Sequence, residues 1–175
     1  MSKRILIAYF SRKGTNFVNG SEKELESGNT EKVARFIKDQ VGGDLFEITP
    51  AIPYSDNYKE CVDQAKAEKE SNARPAVKNK VQGMEDYEVI FLGYPNWWGT
   101  CPMPVLSFLE AHNLADKTVI PFCTHSGAGV LYSQADIEGS AKGAKVLKAA
   151  SFNGAYLKEA APTIEEWLKG LKDEL

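Results

Sequence analysis

Three stretches of this chain concentrate the hydroxyls, amides, glycines and aromatic rings that could bind a small ligand. The first is divided in two: Ser11-Arg12-Lys13-Gly14, and later Gly28-Asn29-Thr30 at the start of a helical pattern. Hydroxyls and free N–H groups at a helix N-terminus favour an anion, through both the orphan donors and the helix dipole. The second is Tyr94-Pro95-Asn96-Trp97-Trp98-Gly99-Thr100-Cys101-Pro102. Adjacent side chains on an extended segment point different ways, so at least one of Trp97 and Trp98 should reach the surface, where an indole face suits stacking on a flat molecule. The third is Thr124-His125-Ser126-Gly127-Ala128-Gly129. Its small residues let backbone N–H groups approach a ligand, and His125 could touch that ligand or tune its charge.

Each stretch also has a purely structural reading. Gly28-Asn29-Thr30 serves equally as a turn and helix cap. One tryptophan could plug the end of a sheet while the other packs on a neighbouring loop. A lone loop histidine is most often solvated. Cys101 precedes a helix start but has no basic neighbour, which favours an inert, partly buried thiol. Established nucleotide fingerprints are missing: there is no GxxxxGK[ST], and no GxGxxG follows the first strand.

All three stretches follow short apolar runs. Ile5–Phe10, Asp44–Ile48, Val89–Tyr94, Thr118–Thr124 and Lys145–Ser151 read as five strands. Ile5–Phe10 and Val89–Tyr94 are apolar on both faces, as buried parallel strands are. Between them lie helical patterns at Glu31–Val41, ended by Gly42-Gly43, at a segment capped by Ser55 and running to about Glu70, at Pro102–Ala111 and at Ser133–Ala141. Thr163–Leu171 closes the chain as a helix. This alternation predicts an α/β fold: an open parallel sheet with helices on both faces. In such sheets ligands bind beyond the carboxyl ends of the strands, where strand order reverses. That is where the three stretches fall.

The composition limits the possibilities further. The 175 residues suit one domain, residues 1–175, with no linker or repeat. Net charge is −3, which argues against nucleic acid as a partner. No apolar run is long enough for a membrane span, and Ile5–Phe10 is too short for a signal peptide. Three widely spaced cysteines and two histidines, without CxxC, suggest neither a disulfide framework nor a metal site. The terminal Lys172-Asp173-Glu174-Leu175 matches an ER-retention signal by chance on this reading, and the expected compartment is reducing and cytoplasmic.

The chain resembles the flavodoxin family, in particular a compact bacterial branch. The resemblance is carried by ILIAYFS (5–11), GNTEKVA (28–34), IFLGYPNWWG (90–99), PVLSFLE (104–110) and PFCTHSG (121–127). It implies a flavodoxin-like, doubly wound, five-stranded sheet in order 2-1-3-4-5, with FMN at its carboxyl edge. Ser11 and Gly28-Asn29-Thr30 would then be the two ends of the phosphate loop, with Lys13 where a threonine is more usual. Trp97 and Trp98, continuing into Gly99, would cover the isoalloxazine, and Pro95 and Asn96 would supply backbone contacts. Thr124, His125, Ser126 and Gly127 would reach the ring's pyrimidine edge.

Two departures from the family pattern stand out. Gly14–Ser27 splits the phosphate loop, and Asn19-Gly20 within it signals a hairpin turn. The expectation is a flap over phosphate or ring, touching FMN through Asn16. The other is that Thr124–Gly129 holds no aromatic residue and the charge is only −3, low for a dedicated acidic shuttle. An open ring face would admit a second substrate. An electron carrier and an NAD(P)H-dependent quinone or flavin reductase therefore stand side by side. The partner would be a redox protein or a small acceptor, and the oligomeric state is left open. A flavin-free binding or regulatory domain on the same scaffold is the remaining alternative. Its receiver-type version needs clustered acids where this chain has Tyr9-Phe10-Ser11.

Overall fold

A computed structural model describes residues 3–175. Along the chain the elements are β1 (Ile5–Tyr9), β2 (Gly14–Val18), β3 (Ser21–Leu25), α1 (Asn29–Val41), β4 (Asp44–Glu47) and α2 (Tyr58–Glu70). They continue with β5 (Val89–Pro95), α3 (Met103–Glu110), β6 (Thr118–His125), α4 (Ser133–Ser140), β7 (Lys145–Val146), β8 (Ala150–Asn153) and α5 (Ala161–Lys169).

The main sheet is parallel and runs β4-β1-β5-β6, with β7 and β8 both paired to the far side of β6. This is the expected 2-1-3-4-5 order. Alternate residues of each central strand face opposite layers. Leu6, Ala8, Ile90, Leu92 and Tyr94 pack with α3, and Ile5, Ile7, Val89, Phe91 and Phe122 pack with α1 and α5. Both faces are therefore covered, which is why these runs show no polar alternation.

Two expectations need correction. The fifth strand is not continuous: Val146 pairs with Val119 and Ala150 pairs with Phe122, so one extra residue is accommodated between them. This bulge frees backbone groups that the Gln134 amide takes up, accepting from Ala149 N (2.8 Å) and donating to Leu147 O (3.2 Å). Helix α2 is capped by Asn57 rather than Ser55. Asn57 Oδ1 accepts from Glu60 N at 3.0 Å, because it directly precedes the first helical residue. Ser55 lies too early for that role; its hydroxyl accepts from Asn57 N and donates to Glu60.

The segment after β1 forms a hairpin apart from the main sheet. Strands β2 and β3 pair antiparallel around Asn19-Gly20, with φ of 52° and 80° at the two turn residues. Positive φ at both is what a two-residue hairpin turn of this hand demands, and Asn-Gly supplies it at least cost.

Candidate functional site

At the end of β1 the chain passes directly over the start of α1. Ser11 Oγ accepts from Glu31 N at 3.1 Å and so caps a helix whose own Gly28 has no side chain to do it. Gly28 is required by this approach: a Cβ there would lie 2.1 Å from Ser11 Oγ and 2.6 Å from the Arg12 carbonyl oxygen. The N–H groups of Asn29 and Thr30, which precede any intrahelical acceptor, find no protein acceptor among the described residues. Beside them, Arg12 donates from Nη2 to the Ser55 and Asp56 carbonyls, both at 3.1 Å. Its Nε is buried without a partner among the described residues. Buried donors of this kind ordinarily have an acceptor, so the set is chemically suited to an anion.

The loop after β5 treats its two tryptophans differently. Trp97 packs edge-on between Phe10 (5.1 Å between centroids) and Tyr54 (5.2 Å), joining the α3-side core. Trp98 lies on the other side of the loop and is 43% exposed. Its Nε1 donates to Val62 O at 3.0 Å, and Lys66 sits 5.5 Å from its ring. Trp98 and Gly99 form a tight turn at φ of 56° and 82°, closed by paired bonds between Trp97 and Thr100. Asn96 holds that turn and the next loop together, accepting from Gly99 N (3.0 Å) and donating to Gly129 O (2.6 Å).

After β6, Thr124 is buried and its hydroxyl meets that of Thr30 at 2.8 Å, which ties this loop to α1. His125 Nδ1 accepts from Gly127 N at 2.9 Å. Burial holds the His125 pKa below its usual value, so the neutral ring carries its proton on Nε2. Cys101 and Cys123 are fully buried rather than partly so. Their thiols are pushed up to about 12, chiefly by burial, and are inert.

The hairpin meets these loops. Ser126 Oγ donates to Phe17 O at 3.2 Å, and the Phe17 ring stacks on Tyr58 of α2 at 6.3 Å and 20°. Asn16 Nδ2 donates to Arg12 O (3.0 Å) and Gly14 O (3.1 Å), so its amide braces the hairpin's base.

These segments enclose an open cleft of about 280 Å³ at the carboxyl ends of β1, β5 and β6. Of the residues read from the sequence, Ser11, Asn16, Asn29, Thr30, Pro95, Asn96, Trp97, Thr124, His125 and Ser126 line it. Gly28, Gly99 and Gly127 act behind the wall, through the close approach and turns just described. Lys13 is exposed beside a neighbouring groove with Glu26, Glu31 and Glu47, and Trp98 borders a hollow over α2 that adjoins the cleft and shares Arg12, Asn16, Tyr58, Asn96 and Trp97 with it. Sequence reasoning missed Arg12, Phe17 and Tyr58. Arg12 could have been found as a cation adjoining an anion site. Nothing local marks Phe17 or Tyr58, since their place depends on how the hairpin folds back.

The sequence matches the flavodoxin family over residues 4–171, nearly its whole length. The chain belongs to the flavodoxin family. Its fold is similar to that of a candidate flavoprotein from Bacteroides uniformis, with 27% identity, TM-score 0.77, and coverage of 97% of this chain and 99% of that one. A candidate flavoprotein from Bacteroides eggerthii gives 27% identity, TM-score 0.72, and coverage of 94% and 99%. A Lactobacillus acidophilus flavoprotein solved in complex with FMN shares the fold at 20% identity and TM-score 0.68, over 94% of this chain and 99% of that one. No curated protein matches the chain. Flavodoxin-family membership supports FMN as the cofactor. The cleft fits that group: unpaired donors at a helix N-terminus and the buried, unpartnered Nε of half-buried Arg12 suit a phosphate, and the aromatic rings suit a flat ring system. No helix among the described residues is long and apolar enough to cross a membrane.

Proposed function

We propose that this protein is a redox carrier that holds FMN non-covalently in the cleft at the ends of β1, β5 and β6. The observation that carries this reading is the pairing, within one cleft, of anion-seeking donors at the α1 N-terminus with an aromatic-lined section. Bound FMN supplies reversible electron transfer; the chain binds it, orients it and sets its surroundings. On this reading the Ser11 hydroxyl, the Asn29 and Thr30 N–H groups and Arg12 hold the phosphate, with Gly28 allowing their close approach. Asn16 steadies the loop beneath it. Pro95, Asn96 and Trp97 border the ring, and Trp98 and Gly99 fix the turn that presents them. Thr124, His125, Ser126 and Gly127 face the ring's polar edge. A neutral His125 offers a hydrogen bond without a positive charge, so it does not favour the negative charge of a reduced ring. The free, buried thiols suit a reducing, cytoplasmic setting, and the partner is a redox protein or a small quinone or flavin acceptor.

The test begins with the visible spectrum after FMN is added and excess removed by gel filtration. Retained FMN at one per chain is expected; a colourless protein rejects the reading in favour of a flavin-free domain. Loaded protein is then mixed anaerobically with NADH or NADPH. A carrier keeps its colour until a partner reductase is added. Rapid bleaching by the nucleotide alone would instead identify an NAD(P)H-dependent quinone or flavin reductase.

A further inference from the structure

The third loop, Thr124–Gly129, has no aromatic residue. If the loops alone built the site, one side of a flat ligand would lack aromatic cover. The structure supplies that cover from elsewhere. Phe17 on the hairpin and Tyr58 at the first turn of α2 both line the cleft, together with Trp97. They stack on one another as a pair, 6.3 Å apart and 20° from parallel. Phe17 is 44% exposed, so its ring is open to a ligand in the cleft. Val18 and Leu25 of the same hairpin also line the cleft. Phe17 stands on the hairpin face opposite Val18 and Leu25, and Ser21, Glu22, Lys23 and Glu24 are exposed along β3. A two-stranded hairpin is at best marginally stable alone, and this one is anchored by the Phe17–Tyr58 stack, the Ser126–Phe17 bond and the Asn16 bonds at its base.

We infer that the hairpin of residues 14–25 is a ring-binding element. Phe17, backed by Tyr58, forms an aromatic wall for the flavin that the third loop does not provide. This rests on the FMN reading above. Phe17 contributes apolar contact to the bound ring, and Tyr58 holds Phe17 in place from α2. The Tyr58 phenol is neutral near pH 7 at its ordinary pKa, and burial raises that pKa further, so the wall is uncharged. The Ser126–Phe17 bond then couples the hairpin to the loop at the ring's polar edge.

The test is FMN affinity and the visible absorption band of bound FMN in Phe17→Ala, Phe17→Leu and Phe17→Trp, each with its far-UV circular dichroism matched to wild type. Loss of one aromatic wall is expected to weaken FMN binding about tenfold in Phe17→Ala and to shift the band. Phe17→Trp should retain wild-type affinity, with Phe17→Leu between. If Phe17→Ala fails to fold, the Leu and Trp variants decide by the same order. Wild-type affinity and spectrum in Phe17→Ala or Phe17→Leu would overturn the inference while leaving FMN binding intact. Failure of the wild-type chain to take up FMN would overturn both readings together.

Discussion

The two sides of the cleft are made differently. One side is carried by the main sheet. Its loops leave β1, β5 and β6 and are cross-tied by Thr30–Thr124, Asn96–Gly129 and Ser11–Glu31. The other side is a two-stranded hairpin tethered through Phe17, Ser126 and Asn16. Sheet-borne loops inherit the rigidity of a core that is buried on both faces. The hairpin adds cover without adding much to that core. Precise polar positions and adaptable apolar cover are thus separated within one site.

Substitutions should expose this division. The largest effect is expected at Trp97, which is wedged between Phe10 and Tyr54. Trp97→Ala should cost about 3 kcal/mol of stability, as large-to-small core changes do. Its neighbour provides the internal control: Trp98→Ala should cost about 1 kcal/mol or less, the order of one hydrogen bond. Urea denaturation of both variants checks this, and equal losses would break the distinction between the two indoles.

Gly28→Ala comes next. Its Cβ would press on Ser11 Oγ and the Arg12 backbone, so it should cost roughly 1–3 kcal/mol and weaken FMN binding as well. Thermal unfolding with and without FMN measures both. On the hairpin side, Phe17→Ala should change the stability of the apoprotein by less than about 0.5 kcal/mol, the usual surface range. A loss as large as that of Gly28→Ala would show that the hairpin is part of the core after all.

The smallest expected effect is the titration of His125. Its folded pKa lies below the ordinary 6.5, so above that pH both folded and unfolded chains are neutral there and nothing is gained or lost. As pH falls through 6.5 the unfolded chain takes the proton first, and stability declines until the folded state is protonated too. Denaturation midpoints across this window should show a shallower slope in His125→Gln than in wild type. A steeper slope in the variant would mean that the ring is stabilised when charged.

Much of the fold was legible in the sequence because its signals are local. Doubly apolar runs mark strands buried on both faces, Gly42-Gly43 stops α1, and Asn19-Gly20 makes a hairpin turn whatever surrounds it. The two misplacements have different causes, one local and one tertiary. Ser55 and Asn57 both offer side chains that can cap, and only the helix's true first residue decides between them. In Lys145–Ser151 the apolar pattern continues through a bulge that Gln134 stabilises from a different element.

The sequence by itself determined the element types, their order, and the three loops that would meet at one edge of the sheet. Only the tertiary structure decided which indole joins the core and which lies over α2. It also brought Phe17, Tyr58 and Arg12 to the cleft and turned the Asn16 amide toward the backbone. The reason is distance along the chain. Secondary structure follows from neighbours a few residues apart, whereas a cleft wall joins residues such as Phe17, Tyr58 and Ser126, whose proximity exists only once the sheet has assembled.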